Sequence, residues 1–301
     1  MNSSSNNRKG ILLMLVAMAG FTIEDAFIKQ LSATISIGQI LIIIGFFSSV
    51  FFALLAVTRG RNLLASSVWT RATLTRMCAE AFAAMAFITS LSLVPLSTVA
   101  AVFQITPLTI TMGAAIFLGE RVGWRRWLAI FVGFIGVLLI IKPGFGGFDP
   151  SVLWVLVAVL GVAVRDLVTR VIPTKVESSI ISFQAFSSLI IAGALILLVS
   201  PQGIAPIPGK ELVYFACTIV FSVSGYYAIV SAMRVGDASI VSSFRYSRLL
   251  FSLLVGIFIF NESVDLLTLI GSVIIIGSGL YTYLSEHRTV TKHSENGEMI
   301  L

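Results

Sequence analysis

The sequence predicts an all-α polytopic membrane protein in which ten transmembrane helices form two five-helix repeats of opposite orientation. Three observations predict it. Apolar residues make up 57% of the 301-residue chain and charged residues only 11%, against roughly 25% charged in soluble globular proteins, so this surface calls for lipid around it. Apolar windows near twenty residues, the length that crosses a hydrocarbon core as a helix, recur from one end to the other. The chain also matches itself at an offset of 141 to 142 residues.

The windows cover 11–31, 36–57, 73–94, 97–118, 125–142, 151–172, 179–200, 211–233, 239–260 and 265–284, each bounded by a polar or Pro/Gly-bearing turn. The first follows Arg8 and Lys9 as a signal peptide would, yet it contains Glu24 and Asp25 and lacks a small-residue cleavage site, so it reads as a retained helix. The organisation expected is an N-terminal tail (1–10), a first repeat (11–142), a second repeat (151–284) and a C-terminal tail (285–301). With the N-terminus cytoplasmic, thirteen basic residues fall in inside loops and tails, Arg59, Arg61, Arg121, Arg125, Arg126 and Arg170 among them. Lys29, Lys142 and Lys210 are the three outside, and that asymmetry puts both termini inside. The net charge of +6 thus reflects orientation in the bilayer rather than nucleic-acid binding. Cys78 and Cys217 sit inside apolar runs, and His287 and His293 in the tail. That distribution argues against a zinc site or a disulfide framework, and no cofactor is expected.

The repeat places Gly20-Phe-Thr-Ile-Glu-Asp25 over Gly161-Val-Ala-Val-Arg-Asp166, Lys29 over Arg170, Ser97 over Ser239 and Glu120 over Glu262. Each half has five spans, and an odd number forces the second copy to enter the membrane from the other face. Charge supports this. The turn after the fourth window carries Arg121, Arg125 and Arg126, whereas its counterpart, Asn261-Glu-Ser-Val-Asp265, has no basic residue, as turns on opposite faces should.

Eight ionisable residues lie in or near the spans: Glu24, Asp25, Glu80 and Asp166 against Arg76, Arg165, Arg245 and Arg248. A charge at mid-bilayer costs at least about 2.5–3.5 kcal/mol, so a balanced set points to residues facing one another or a wet cavity. Glu24 and Arg165 exchange places across the repeat and are candidates for an inter-repeat pair. Asp25 and Asp166 are then candidates for a proton or cation site, with helix-packing ion pairs as the alternative for all four. Arg76 and Glu80, four apart, can pair with each other. Arg245 and Arg248, three apart, form a cationic patch able to hold a carboxylate, a phosphate or carbonyl oxygens, and to stack on a ring; pairing with Asp166, Glu24 or Asp25 is the competing role. Tyr246, Gln104, Thr106 and Tyr227 add hydrogen-bonding and aromatic surface. Pro107 leaves one helix carbonyl without its amide partner. Gly20, Gly133, Gly136, Gly161, Gly271, Gly277 and Gly279 are expected to admit close helix contacts.

The stretch PLSTVAAVFQITPLTITMGAAIFLGERVGWRRWLAIFVGFIGVLLIIKPG (95–144) resembles the EamA domain of the drug/metabolite transporter superfamily, and a weaker copy ends within 237–284. The resemblance implies ten helices in two inverted halves around a cavity that opens alternately to either side. Asp25 with Lys29, Arg165 with Asp166, and FRYSRLLFSLLVG in the ninth window look like the bacterial subgroup containing riboflavin and S-adenosylmethionine uptake carriers. The expected function is secondary transport of a small organic metabolite across the bacterial inner membrane, coupled to protons or simply downhill. Riboflavin is the first candidate, S-adenosylmethionine or another planar or anionic metabolite the second, and export by the same fold an alternative direction. No nucleotide-binding motif supplies ATP, and no histidine or Ser-His pairing in the spans suggests an enzyme. A monomer and a homodimer are both compatible with the sequence.

Overall fold

The computed structural model describes residues 3–120, 122–143, 148–173, 176–199, 203–235 and 244–297. Arg121, Lys175 and Ser239 lie outside them, as do the side chains of Arg234, His287, Arg288, Lys292 and His293. Described residues form helices and short 3-10 turns, with no strand among them. In chain order the helices are α1 (Ser3–Leu31), α2 (Ile37–Thr58), α3 (Arg71–Leu93), α4 (Leu96–Phe103), α5 (Thr106–Phe117), α6 (Trp124–Ile141), α7 (Leu153–Val171), α8 (Ser178–Val199), α9 (Gly209–Val235), α10 (Ser247–Phe260) and α11 (Leu266–Gly297).

Eight stretches are long and apolar enough to cross a membrane, with α4 and α5 together counting as one, Leu96–Phe117. Of the ninth window, residues 239–243 lie outside the described residues; the described part is a 3-10 turn over Phe244–Tyr246 followed by α10, and the apolar part of α11 is Leu266–Tyr281. The fourth window is broken as well. Pro107 has no amide to give to the Phe103 carbonyl four residues earlier, and α4 stops at Phe103. That carbonyl does not stay free, because the Thr106 hydroxyl donates to it.

Phe46, Phe47, Leu54, Phe131, Leu138 and Phe258 are more than half exposed on the outside of the bundle. Water would penalise that surface and hydrocarbon does not. Polar groups inside the spans instead bond to backbone one turn earlier, Thr22 to the Met18 carbonyl and Ser90 to that of Phe87.

The strongest helix pairings are α1 with α9, α2 with α8, α3 with α7, and α6 with α11. Small residues bring the backbones together. A Cβ built on Gly38 would lie 2.6 Å from the Gly193 carbonyl oxygen, and one on Gly136 would lie 2.8 Å from that of Gly271. Contacts recur at the spacing of the sequence repeat: Gly20 faces Gly225 between α1 and α9, while Gly161 faces Ala83 between α7 and α3. Gly277, by contrast, has nothing within 4 Å of such a Cβ, so its expected packing role is corrected.

Loops are pinned at both ends of the bundle. At the end bearing Lys29, the Gln39 side chain donates to and accepts from Ala205. At the opposite end, Gln184 donates to the Val68 carbonyl, and Arg59 and Arg61 both grip Glu177 just before α8. The hydrogen bond from Arg59, reinforced by Arg61, holds the Glu177 carboxyl below its ordinary value. A depressed carboxylate stabilises the fold above its unfolded pKa, about 4.3, and loses that contribution as pH falls through the folded value. Glu177→Gln is therefore expected to lower the thermal midpoint slightly at pH 7 and to match the parent in acid. An equal difference at both pH values would assign the effect to something other than charge.

Candidate functional site

Where α4 ends, α1 and α10 bring an acid and a base together. Arg248 Nη2 donates to Asp25 Oδ2 at 2.6 Å, with side chains 21% and 6% exposed, so the competing role foreseen for this arginine, pairing with Asp25, is realised. Its guanidinium also lies 5.6, 5.8 and 5.9 Å from the ring centres of Phe21, Phe87 and Phe103. Cation–π attraction is strongest where water is excluded, so three rings and one carboxylate fix this arginine tightly. Gln104, in the break between α4 and α5, borders the same point together with Asp25, Phe87 and Phe103. The void among them is only about 10 Å³, room for about one water.

A second ionic cluster lies between α3 and α7. Arg165 bonds to Glu80 at 3.0 Å and to its neighbour Asp166 at 2.8 Å. Arg76 approaches Glu80 at 3.4 Å, the expected intrahelical pair, and donates through Nε to Thr169. Its Nη1 is buried without a partner. Arg245 stands within electrostatic reach of Asp166 and Arg165, forms no ion pair with a described residue, and is exposed.

The pairing of Glu24 with Arg165 does not occur. Arg165 is taken by Glu80, and Glu24 hydrogen-bonds Ser222 on α9 instead. The reason is the repeat itself: α1 packs on α9 and α7 on α3, so each residue meets a neighbour 141 to 142 positions from the other's. Glu24–Ser222 and Arg165–Glu80 are thus one contact seen twice. Glu24 itself forms no ion pair with a described residue.

Other expected site residues are scattered. The Tyr246 hydroxyl is pressed against Gly279 of α11, and the Thr106 hydroxyl is occupied by Phe103. Tyr227, with Tyr226, lines a separate cleft of about 280 Å³ at the Arg59 end, between α2, α8 and α9. The aromatic wall around Arg248 was missed. Phe21, Phe87 and Phe103 come from three windows whose apolar residues all look alike in sequence, and only the packing singles them out.

The Lys29 end is sealed. Lys29 Nζ donates to the carbonyls of Leu91 at 3.0 Å and Val94 at 2.6 Å, and lies 4.0 Å from Glu262. Glu262 in turn accepts from the amides of Leu96 and Ser97 and from the Ser97 hydroxyl. Elsewhere α10 packs on α4 and α5 on α7.

Comparison with known proteins agrees with this architecture. The chain is 28% identical over 290 residues to the S-adenosylmethionine uptake transporter of Rickettsia prowazekii (strain Madrid E), covering 95% of this chain and 96% of that one. It is 27% identical over 220 residues to the riboflavin transporter of Rhizobium johnstonii, covering 73% and 72%. A solved structure titled "Crystal structure of protein" superposes with a TM-score of 0.62 at 16% identity, over 94% of this chain and 99% of that one, which speaks to the fold alone. The model of the EamA-like transporter family matches twice, over residues 8–142 and 149–284. Two matches spanning nearly all of the chain make the conclusion direct: this multi-pass membrane protein is a transporter belonging to the EamA-like transporter family.

Proposed function

We propose that the chain is an inner-membrane uptake carrier for a ring-bearing zwitterionic metabolite, with S-adenosylmethionine ahead of riboflavin. The observation that carries this reading is the occurrence of unpaired opposite charges beside an aromatic wall. Among the described residues Glu24 has no cationic partner at bonding distance and Arg245 no anionic one, and Phe21, Phe87 and Phe103 surround the nearby Arg248. S-adenosylmethionine carries cationic sulfonium and ammonium groups to suit Glu24, a carboxylate to suit Arg245 and a flat base to suit the rings. Riboflavin has the flat ring and no fixed charge, so it leaves the ionic groups unused. The S-adenosylmethionine uptake transporter named above is similar over 95% of this chain and the riboflavin transporter over 73%, which favours the same order.

The carrier is two inverted five-helix halves with both termini cytoplasmic. Support comes from the paired contacts Glu24–Ser222 with Arg165–Glu80 and Gly20–Gly225 with Gly161–Ala83, each repeated at the sequence offset. The basic residues clustered at the Arg59 end support the orientation. Asp25, Glu24 and Asp166 are the groups on which proton coupling would depend, with Arg165 holding Asp166.

Cells carrying the chain are expected to accumulate labelled S-adenosylmethionine at least tenfold over cells without it, with riboflavin a weak competitor. Uptake of riboflavin with none of S-adenosylmethionine would reverse the substrate order. Loss of preloaded label that depends on the chain, without uptake, would make it an exporter.

A further inference from the structure

We propose that Glu262 and Glu120 are the two latches of the transport passage, buried one at a time: Glu262, beside Lys29 and bound to the start of α4, locks one end in the present state, and Glu120, already paired with Arg170 but exposed, locks the other when that end closes. The inference rests on the transport reading but not on which metabolite is carried.

Both glutamates are presented by the same turn. Gly119 and Asn261, 142 residues apart, adopt left-handed backbone conformations at φ +68° and φ +50°. The next residue's amide then reaches back to the carbonyl of Ala114 at 3.2 Å in one half and of Gly256 at 2.9 Å in the other. Ala114 and Gly256 are also 142 apart. Each glutamate has a cation as neighbour, Arg170 for Glu120 at 2.8 Å and Lys29 for Glu262 at 4.0 Å, and these too correspond across the repeat.

Burial separates the two. Glu262 is 8% exposed and holds three donors on α4, Leu96 N at 2.6 Å, Ser97 N at 2.9 Å and Ser97 Oγ at 2.7 Å. The start of a helix offers unsatisfied amides and a positive dipole end, so a carboxylate there ties α10 to α4 and neutralises its own burial. Lys29 adds α1 and α3 to the knot through the Leu91 and Val94 carbonyls. Glu120 and Arg170 are each 48% exposed, and among the described residues Arg170 is the one ion-pair partner of Glu120. A carrier must open one end only when the other is shut, and the two states must lie close in free energy to exchange. Tearing Glu262 from α4 strands a buried carboxylate, which is strongly unfavourable. Burying the equivalent carboxylate at the opposite end offsets it, which explains why one device occurs twice.

Two tests apply to the full-length carrier with Cys78 and Cys217 replaced by Ser. In the first, Ala100→Cys, between the seal and the α4 break, is labelled by a membrane-impermeant maleimide applied to either face of oriented vesicles. Glu262→Ala is expected to raise labelling from the Lys29 face at least fivefold, and Glu120→Ala to leave labelling from the Arg59 face at or above the parent level without raising it from the Lys29 face. Unchanged labelling in Glu262→Ala would overturn the proposal. No substrate is involved, so an error in the assigned metabolite leaves this readout intact. In the second, Ser97→Cys is combined with Gly256→Cys, where a Cβ on Gly256 would lie 3.4 Å from the Ser97 Cβ and 2.5 Å from Glu262 Oε2; the pair thus exchanges the carboxylate latch for a covalent one near the ~3.5–4.5 Å Cβ spacing of disulfides, and the reduced double variant is the reference. Oxidation is expected to cut transport at least twentyfold and dithiothreitol to restore it. Full transport by the crosslinked protein would show that this end need not open.

Discussion

Arg248→Ala is expected to reduce uptake at least about a hundredfold, the largest loss of any single side chain in the protein. Removing the guanidinium takes from Asp25 its bonded partner at 2.6 Å and leaves that carboxylate buried with Glu24 as its neighbour in sequence. Stranding one member of a buried pair costs about 3–5 kcal/mol in soluble proteins, equivalent to about two to four powers of ten. Two explanations for the loss can be separated. If Arg248 serves only to neutralise Asp25, then Arg248→Gln with Asp25→Asn removes both charges and restores transport together with abundance. If Arg248 also touches the metabolite, the double variant restores abundance in the membrane while uptake stays at the level of Arg248→Ala. The aromatic setting favours the second outcome, because Phe21, Phe87 and Phe103 hold the guanidinium more firmly than charge balance requires. Binding of labelled S-adenosylmethionine to purified carrier, measured beside uptake, distinguishes weaker binding from a blocked conformational step.

Which of these features the sequence could reveal depended on the range of the interaction. The windows were legible because spanning a bilayer constrains composition over some twenty consecutive residues, and the helix bounds fall close to them from α1 to α9. Intramembrane charges were legible for the same reason, since each is costly enough to stand out against an apolar run. Their partners were not. Glu24 and Arg165 occupy equivalent positions in the two halves, and equivalence by itself does not imply contact: helices related by the repeat are packed against other helices, so Glu24 meets Ser222 and Arg165 meets Glu80. Thr106 was read as hydrogen-bonding surface for substrate, yet its hydroxyl supplies the donor for the carbonyl that Pro107 leaves without an amide. The break near Pro107 was legible, whereas its repair needed the rotamer of one side chain. Glu262 was visible in the sequence only as half of an aligned pair of turns, because its three donors lie about 165 residues away.

Gly271→Ala is expected to be among the most damaging substitutions to assembly, and Gly277→Ala, six residues along the same helix, to be harmless. A methyl on Gly271 would sit 2.5 Å from the Gly136 carbonyl oxygen and 2.7 Å from Ile140 Cγ1, both on α6. Neither obstacle is the free end of a flexible chain, since one is helix backbone and the other is branched next to it. The helices must therefore separate. In the reverse direction, a Cβ on Gly136 meets the Gly271 carbonyl at 2.8 Å and Ile275 Cγ1 at 2.9 Å, so the seam has no slack on either side. Overpacking of this kind costs about 1–3 kcal/mol. Between helices in lipid there is less to recover it, because association there depends on close packing rather than on expulsion of water. Gly277 meets nothing within 4 Å, and alanine in an open helical position is favoured over glycine by about 0.8–1.0 kcal/mol. In detergent, Gly271→Ala is expected to lower the thermal midpoint by several degrees and to reduce the folded fraction recovered from membranes, while Gly277→Ala leaves both at or slightly above the parent values. Equal behaviour of the two variants would mean that α6 and α11 do not meet at the distance described, and the pairing that joins the ends of the two family-matched segments would have to be redrawn.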